Sequence, residues 1–206
     1  MVADTLEVLA YPDPTLRQVC EDCDPADKSL RKLARRMAKT MYADNGCGLA
    51  APQVGVLKRL IVIDCDQDSG AKNPITLLNP TVIETRGPEV VEEEGCLSVP
   101  GITVPIRRPA YAIVRYTDLN GEDWIIEGDG LLARCLQHEI DHLNGITLFV
   151  GIGCLRHPES RSCAIQCCRA EFPGRDGVFH VGCFGVRRDH FQSGSLLGQA
   201  DLHRLL

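Results

Sequence analysis

The run Gln137-His138-Glu139-Ile140-Asp141-His142 contains the pattern H-E-x-x-H. Two histidines about one helical turn apart can hold one metal ion from the same helix face. A glutamate between them that stays off the metal can carry a proton. The chemistry this suggests is metal-assisted hydrolysis, in which a bound ion lowers the pKa of water from about 15.7 toward about 7. At average composition the pattern arises by chance in about one chain of this length in a few hundred. The plainer alternative is a pair of core or half-exposed histidines next to a surface glutamate. That alternative fits poorly on an inward-facing stripe, where unpaired polar groups are costly.

Catalytic sites of this kind usually have three protein ligands and one open position. Downstream, the nearest candidates are His157 and Glu159, beyond a glycine-rich stretch and without the spacing of the metalloproteases. Upstream, Glu94-Gly95-Cys96-Leu97-Ser98 offers Cys96 as a thiolate ligand. Glu94 could orient a ligand, since carboxylates commonly do so from behind an imidazole. Alone, Cys96 reads as readily as a small buried hydrophobe, and Glu94 as a solvated member of the acidic run 92–94.

These residues need elements to hold them. Residues 131–143 read as a helix closed by Asn144-Gly145. At about 100° per residue, Leu131, Cys135, His138 and His142 share a stripe. Leu132, Leu136, Ile140 and Leu143 form a second apolar face, and Arg134, Gln137 and Asp141 take the remaining polar side. Glu139 falls between the two inward stripes. A first helix spans about residues 26–43, with Leu30, Leu33, Met37 and Met41 at helical spacing. Residues 46–55 are too glycine-rich for a regular element. Residues 60–64 (LIVID) and 77–84 read as strands. Residues 112–118 and 123–127 form a hairpin through Asn120-Gly121. Strands in the middle, helices at both ends and no βαβ alternation give an α+β class. The expected architecture is small mixed or antiparallel sheets packed around a central helix that carries the motif.

The chain has 206 residues and a net charge of −6, with 44% hydrophobic and 24% charged residues, which is an ordinary globular composition. A general nucleic-acid binder would be basic, so DNA is not an expected partner. Acidic residues near the start break any secretory signal, and no apolar run reaches the length of a membrane span. The 11 cysteines then read as cytosolic thiols or ligands, and the expected location is cytoplasmic. Cys20-Glu21-Asp22-Cys23 is a C-x-x-C without a partner pair and reads as a loop.

Three segments together resemble the peptide deformylases: Gly46-Cys47-Gly48-Leu49-Ala50-Ala51-Pro52-Gln53, Glu94 to Ser98, and Gln137 to His142. They stand in the family's order and spacing, and the opening 8–17 is similar as well. The resemblance covers about residues 4–149. It implies that Cys96, His138 and His142 are the metal ligands, with Fe(II) the typical ion and Ni(II), Co(II) or Zn(II) tolerated. Water fills the fourth position and attacks the formyl carbon. Glu139 transfers the proton, Gln53 and the Leu97 N–H stabilise the oxyanion, and Gly48 contacts the substrate through its backbone. The implied reaction removes the N-formyl group from the initiator methionine of new polypeptides and releases formate. By position, Cys47, Leu131 and Cys135 are the expected walls of the methionine pocket, and Arg134 stands where relatives often carry an apolar residue.

After Val150 the resemblance stops. Many relatives continue with a basic helix implicated in docking near the ribosomal exit. Here residues 151–206 hold five of the 11 cysteines, seven arginines and no lysine. The domain division is therefore a catalytic unit over 1–150 and an atypical tail over 151–206. Three readings of the tail stand open: a shifted reading frame, a weakly ordered extension, or an added metal site from Cys163, Cys167, Cys168, His180 and Cys183. Two other functions compete. An H-E-x-x-H metallopeptidase predicts a ligand downstream of His142. A non-catalytic relative predicts loss of Glu139, Gln53 or a ligand, and all of these are present.

Overall fold

The computed structural model describes residues 4–66 and 70–149, together with the backbone of 187–190. The remainder of the tail, including all three readings of it, lies outside the described residues. In chain order the described elements are α1 (Ser29–Ala43), β1 (Gly48–Ala50), β2 (Leu60–Ile63), β3 (Ile75–Cys96), β4 (Val99–Thr117), β5 (Asp123–Asp129), α2 (Gly130–Leu143) and β6 (Arg187–His190). The class is α+β as expected, and the strands join in one antiparallel sheet ordered β1-β2-β3-β4-β5-β6.

β2 is a continuous apolar run because both its faces are covered. Leu60 and Val62 face α1, packing with Leu30, Met37 and Met41, while Ile61 and Ile63 pack with Leu136, Ile140 and Leu143 of α2. Alternation along a strand requires this split. β1 follows the same rule and sends Leu49 toward α1 and Ala50 toward α2. Residues 46–55 are thus more regular than their glycine content suggests: they contain β1 and a 3-10 turn, Ala51–Val54, that ends at left-handed Gly55.

α1 starts at Ser29 rather than near residue 26. Asp24 and Asp27 accept the N–H groups of Ala26 and Ser29 in successive local turns, which hold the chain out of the helix until Ser29. The β4–β5 hairpin closes with Thr117 opposite Asp123, so its loop has five residues, with Gly121 at φ +85° and the Asp118 carboxylate accepting from Asn120 and Glu122.

The largest departure from the expected elements is the length of β3 and β4. Beyond residue 85 they continue as a two-stranded ribbon to a tight turn in which Cys96 pairs with Val99. The expected strand ends at 84; beyond it Pro88, Pro105 and Pro109 and the acidic run discourage sheet. A ribbon with register shifts at Arg86/Glu89 and Gly95/Cys96 accommodates them. The ribbon folds back over α2 and seats Val104, Ile106, Ile102 and Cys96 against Leu148.

That cover changes the reading of α2. Its expected polar side is not a solvent face: Arg134 and Gln137 are buried with the rest of the helix, and Asp141 is half-buried.

Candidate active site

Each functional side chain is placed by a different device. α2 presents His138 and His142 from successive turns, with ring centroids 4.9 Å apart. The ribbon turn delivers Cys96, whose Sγ lies 3.2 Å from His142 Nε2. The ligand atoms of Cys96, His138 and His142 all lie within 4.8 Å of one another. Thiolate and imidazole donors converging on one point suit a transition-metal ion.

Behind His138 stands a charge network. Glu94 Oε2 accepts from His138 Nδ1 at 3.0 Å, which leaves Nε2 as the ligand nitrogen. Arg108 grips both Glu94 oxygens at 2.6 and 3.1 Å, and Arg134 adds a bond to Oε1 at 2.7 Å. Arg108 also reaches Asp141 at 2.8 Å, tying the ribbon to α2. Burial works against the Glu94 charge, but the hydrogen bonds from His138 and Arg108 outweigh it and hold the carboxyl at about 2. Burial also opposes charge on His138, yet its bonds to Cys96 and Glu94 raise its pKa well above the ordinary value. At His142 burial, helped by the charges of His138 and Arg108, drives the pKa well down. Its Nδ1 is buried without a hydrogen bond among the described residues.

Glu139 lies over Gly48. A Cβ on Gly48 would overlap Glu139 Oε1 and stand 2.8 Å from Cys135 Sγ, so only glycine fits there. The carboxyl is buried, its Oε2 has no hydrogen-bond partner among the described residues, and burial is the main reason its pKa rises to about 8. Gln53 sits in the 3-10 turn with its Oε1 accepting from Ala50 N at 2.8 Å. That bond aims the amide NH2 at Cys96 Sγ (3.5 Å) and Ser98 Oγ (3.3 Å). The N-terminal segment clamps both turns, through Leu9 N to Gln53 O at 2.7 Å and Tyr11 N to Ser98 O at 2.8 Å. Leu97 occupies the ribbon turn, and its side chain fills the space that a Cβ on Gly46 would need.

The structure therefore gathers Gly48, Gln53, Cys96, Leu97, His138, Glu139 and His142 into one site. A cleft of about 140 Å³ opens on both histidines, between Ile106 and Arg108 on one side and Ile146 and Leu148 on the other. Cys47, Leu131 and Cys135 do not line that cleft; Cys47 and Cys135 instead touch each other beside Gly48, with Cys135 Sγ 3.6 Å from Cys47 O. Arg134 points away from them, into the Glu94 network. Sequence reading missed Arg108 and Ser98, whose roles depend on ribbon pairing and on the Gln53 rotamer.

Two buried histidines and a half-buried cysteine on an α+β scaffold, with the buried Glu139 carboxyl beside them, define a metallohydrolase. The family model for polypeptide deformylases matches residues 5–153. "Peptide deformylase 2" of Gloeobacter violaceus is 49% identical over 145 residues, covering 70% of this chain and 77% of the relative. A peptide deformylase of Thermodesulfovibrio yellowstonii is 48% identical over 151 residues, covering 73% and 91%. The crystal structure of a Synechococcus elongatus peptide deformylase in complex with actinonin superposes with a TM-score of 0.68 at 42% identity, covering 73% of this chain and 80% of that one. A Legionella pneumophila peptide deformylase gives 0.69 at 42%, covering 74% and 88%. The chain belongs to the peptide deformylase family. It is a hydrolase that removes the N-formyl group from the formylmethionine of newly made polypeptides.

Proposed function

We propose that Cys96, His138 and His142 hold one divalent ion, natively Fe(II) and replaceable by Ni(II), Co(II) or Zn(II), and that Glu139, Gln53, Leu97 and Gly48 carry out the deformylation around it. The observation that carries the reading is the convergence of three donor atoms within 4.8 Å beside a buried Glu139 oxygen that has no hydrogen-bond partner among the described residues. Held by Cys96, His138 and His142, the ion would supply a nucleophile at neutral pH and Lewis-acid polarisation of the formyl group.

The remaining steps belong to side chains. Glu139, buried beside the ligand set, takes the proton of the attacking water and hands it to the leaving amine. Gln53 keeps its Oε1 on Ala50 N and directs its NH2 to the developing oxyanion. The Leu97 N–H is the second donor, fixed by the tight ribbon turn. Gly48 brings the β1 backbone to the substrate, because no side chain intervenes there. Glu94 fixes the His138 tautomer and, through Arg108, locks ribbon to helix.

Among the described residues no helix is long and apolar enough to cross a membrane, and a cytoplasmic location follows from the nature of the substrate. Nascent chains are met at the ribosome, so a transient contact there belongs to the proposal. With a net charge of −6 it would rest on a local patch.

The metal assignment is tested by anaerobic equilibrium dialysis against Fe(II) or Ni(II). One ion per wild-type chain and none on Cys96→Ala are expected. An undiminished ion on the variant would remove Cys96 from the ligand set.

A further inference from the structure

Three more thiols meet beside the catalytic centre. Cys47 precedes β1, Cys65 follows β2, and Cys135 lies on α2. The β1–β2 pairing, Gly48 opposite Ile63 and Asp64 N on Cys47 O at 2.8 Å, brings the first two together. α2 supplies the third across the core. Their sulfur atoms all lie within 4.8 Å of one another, and none of the three is in a disulfide. No step of deformylation uses Cys65.

The geometry suits an ion. With metal–sulfur bonds of about 2.3 Å, three thiolates in a plane around one ion stand about 4 Å apart. Small side-chain adjustments from the present arrangement reach that spacing. The donors are sulfur only, with no imidazole or carboxylate in the set, and such sites select soft ions over hard ones. The three thiols are coupled: hydrogen bonds from Cys135 and Cys65 push the Cys47 thiol well below its ordinary range, against its burial, while the same contacts push Cys135 well above it.

We propose that Cys47, Cys65 and Cys135 form a second metal site, separate from Cys96, His138 and His142, that binds a soft monovalent ion, Cu(I), through three thiolates. On binding, the thiols release their protons to solvent and three copper–sulfur bonds form, with no change in oxidation state.

The site abuts the catalytic machinery. Cys47 is next to Gly48, and Cys135 Sγ stands 2.8 Å from where a Gly48 Cβ would be, with Glu139 against the same point. A bound ion draws Cys47 and Cys135 together there and slows deformylation. This consequence rests on the proposed function; the binding itself does not.

The test uses the full chain carrying Ni(II) at the catalytic site, titrated anaerobically with Cu(I) from a competing chelator. Copper and nickel per chain, thiolate-to-copper charge-transfer absorption and alkylation of half-buried Cys65 are followed together with formate release. One Cu(I) per chain without loss of Ni(II), protection of Cys65 from alkylation and falling turnover are expected. Cys65→Ser should keep basal turnover but weaken Cu(I) binding by more than the roughly 10–100-fold that loss of an outer partner costs. The alkylation footprint on the wild-type chain decides the matter even if that variant folds poorly. No copper uptake, uptake unchanged by Cys65→Ser, or copper replacing nickel one for one would each overturn the site. Copper bound at the three thiols with full turnover would support the site and overturn its link to catalysis.

Discussion

Glu139 shows how much of the mechanism rests on single atoms. Its carboxyl is sealed over Gly48, and burial lifts it to about 8. Glu139→Ala is expected to keep the metal and to lower turnover by about 10²–10⁴-fold, measured as formate release beside metal content; retained turnover would remove Glu139 from proton transfer. Gln53→Ala should cost about 10²–10³-fold in kcat with the ion retained. Glu94 gives a pH prediction. Its folded-state pKa of about 2 lies below the ordinary 4.5, so folding favours the ionised form. Its stabilisation is complete above pH 4.5 and is lost as pH falls toward 2. Wild-type unfolding free energy should fall through that window, and Glu94→Gln should flatten the fall. At pH 7 the same variant should cost about 3 kcal/mol by leaving Arg108 and Arg134 short of a partner. At this scale the sequence was informative, because metal ligands, base and amide donor are recognisable by residue type and motif spacing. Arg108 and Ser98 were not, because an arginine among prolines and a serine after a leucine carry no signal until Glu94 and Gln53 are placed.

The elements explain why the motifs lie so far apart in sequence. β1 and β2 were legible as apolar runs only in part: LIVI reads as a buried strand, while Gly48–Ala50 hides among glycines. α2 was legible from its period, but not the covering of its polar side, which depends on a ribbon built from proline-containing, charged sequence. Gly48 is the tightest joint between these elements. Gly48→Ala should force Glu139 aside, costing about 1–3 kcal/mol of stability and most of the activity. Thermal unfolding and formate release check the two effects, and a fully active alanine variant would contradict the close approach. Leu136 is fully buried between α2 and the sheet, so Leu136→Ala should cost about 2–5 kcal/mol with the metal-binding stoichiometry unchanged.

For the whole molecule, α1 and α2 cover the two faces of the β1–β2 region, and every proposed site residue lies before residue 150. β6 pairs with β5, with Trp124 opposite His190 and Glu127 opposite Arg187, at the edge of the described sheet. A chain ending at residue 150 should therefore keep its metal and its deformylation while exposing the β5 edge, visible as a greater tendency to associate. The family match to residues 5–153 has the same extent. Beyond it, 151–206 offered no periodicity from which to read elements, and motif reasoning had nothing to act on. The central claim is that one ion held by Cys96, His138 and His142 drives deformylation. Its most direct test is formate release from a formyl-methionyl peptide by anaerobically purified protein with Fe(II) or Ni(II), beside Cys96→Ala. The account predicts metal-dependent turnover that vanishes in the variant. Turnover that persists without Cys96, or none from metal-loaded wild type, would contradict it.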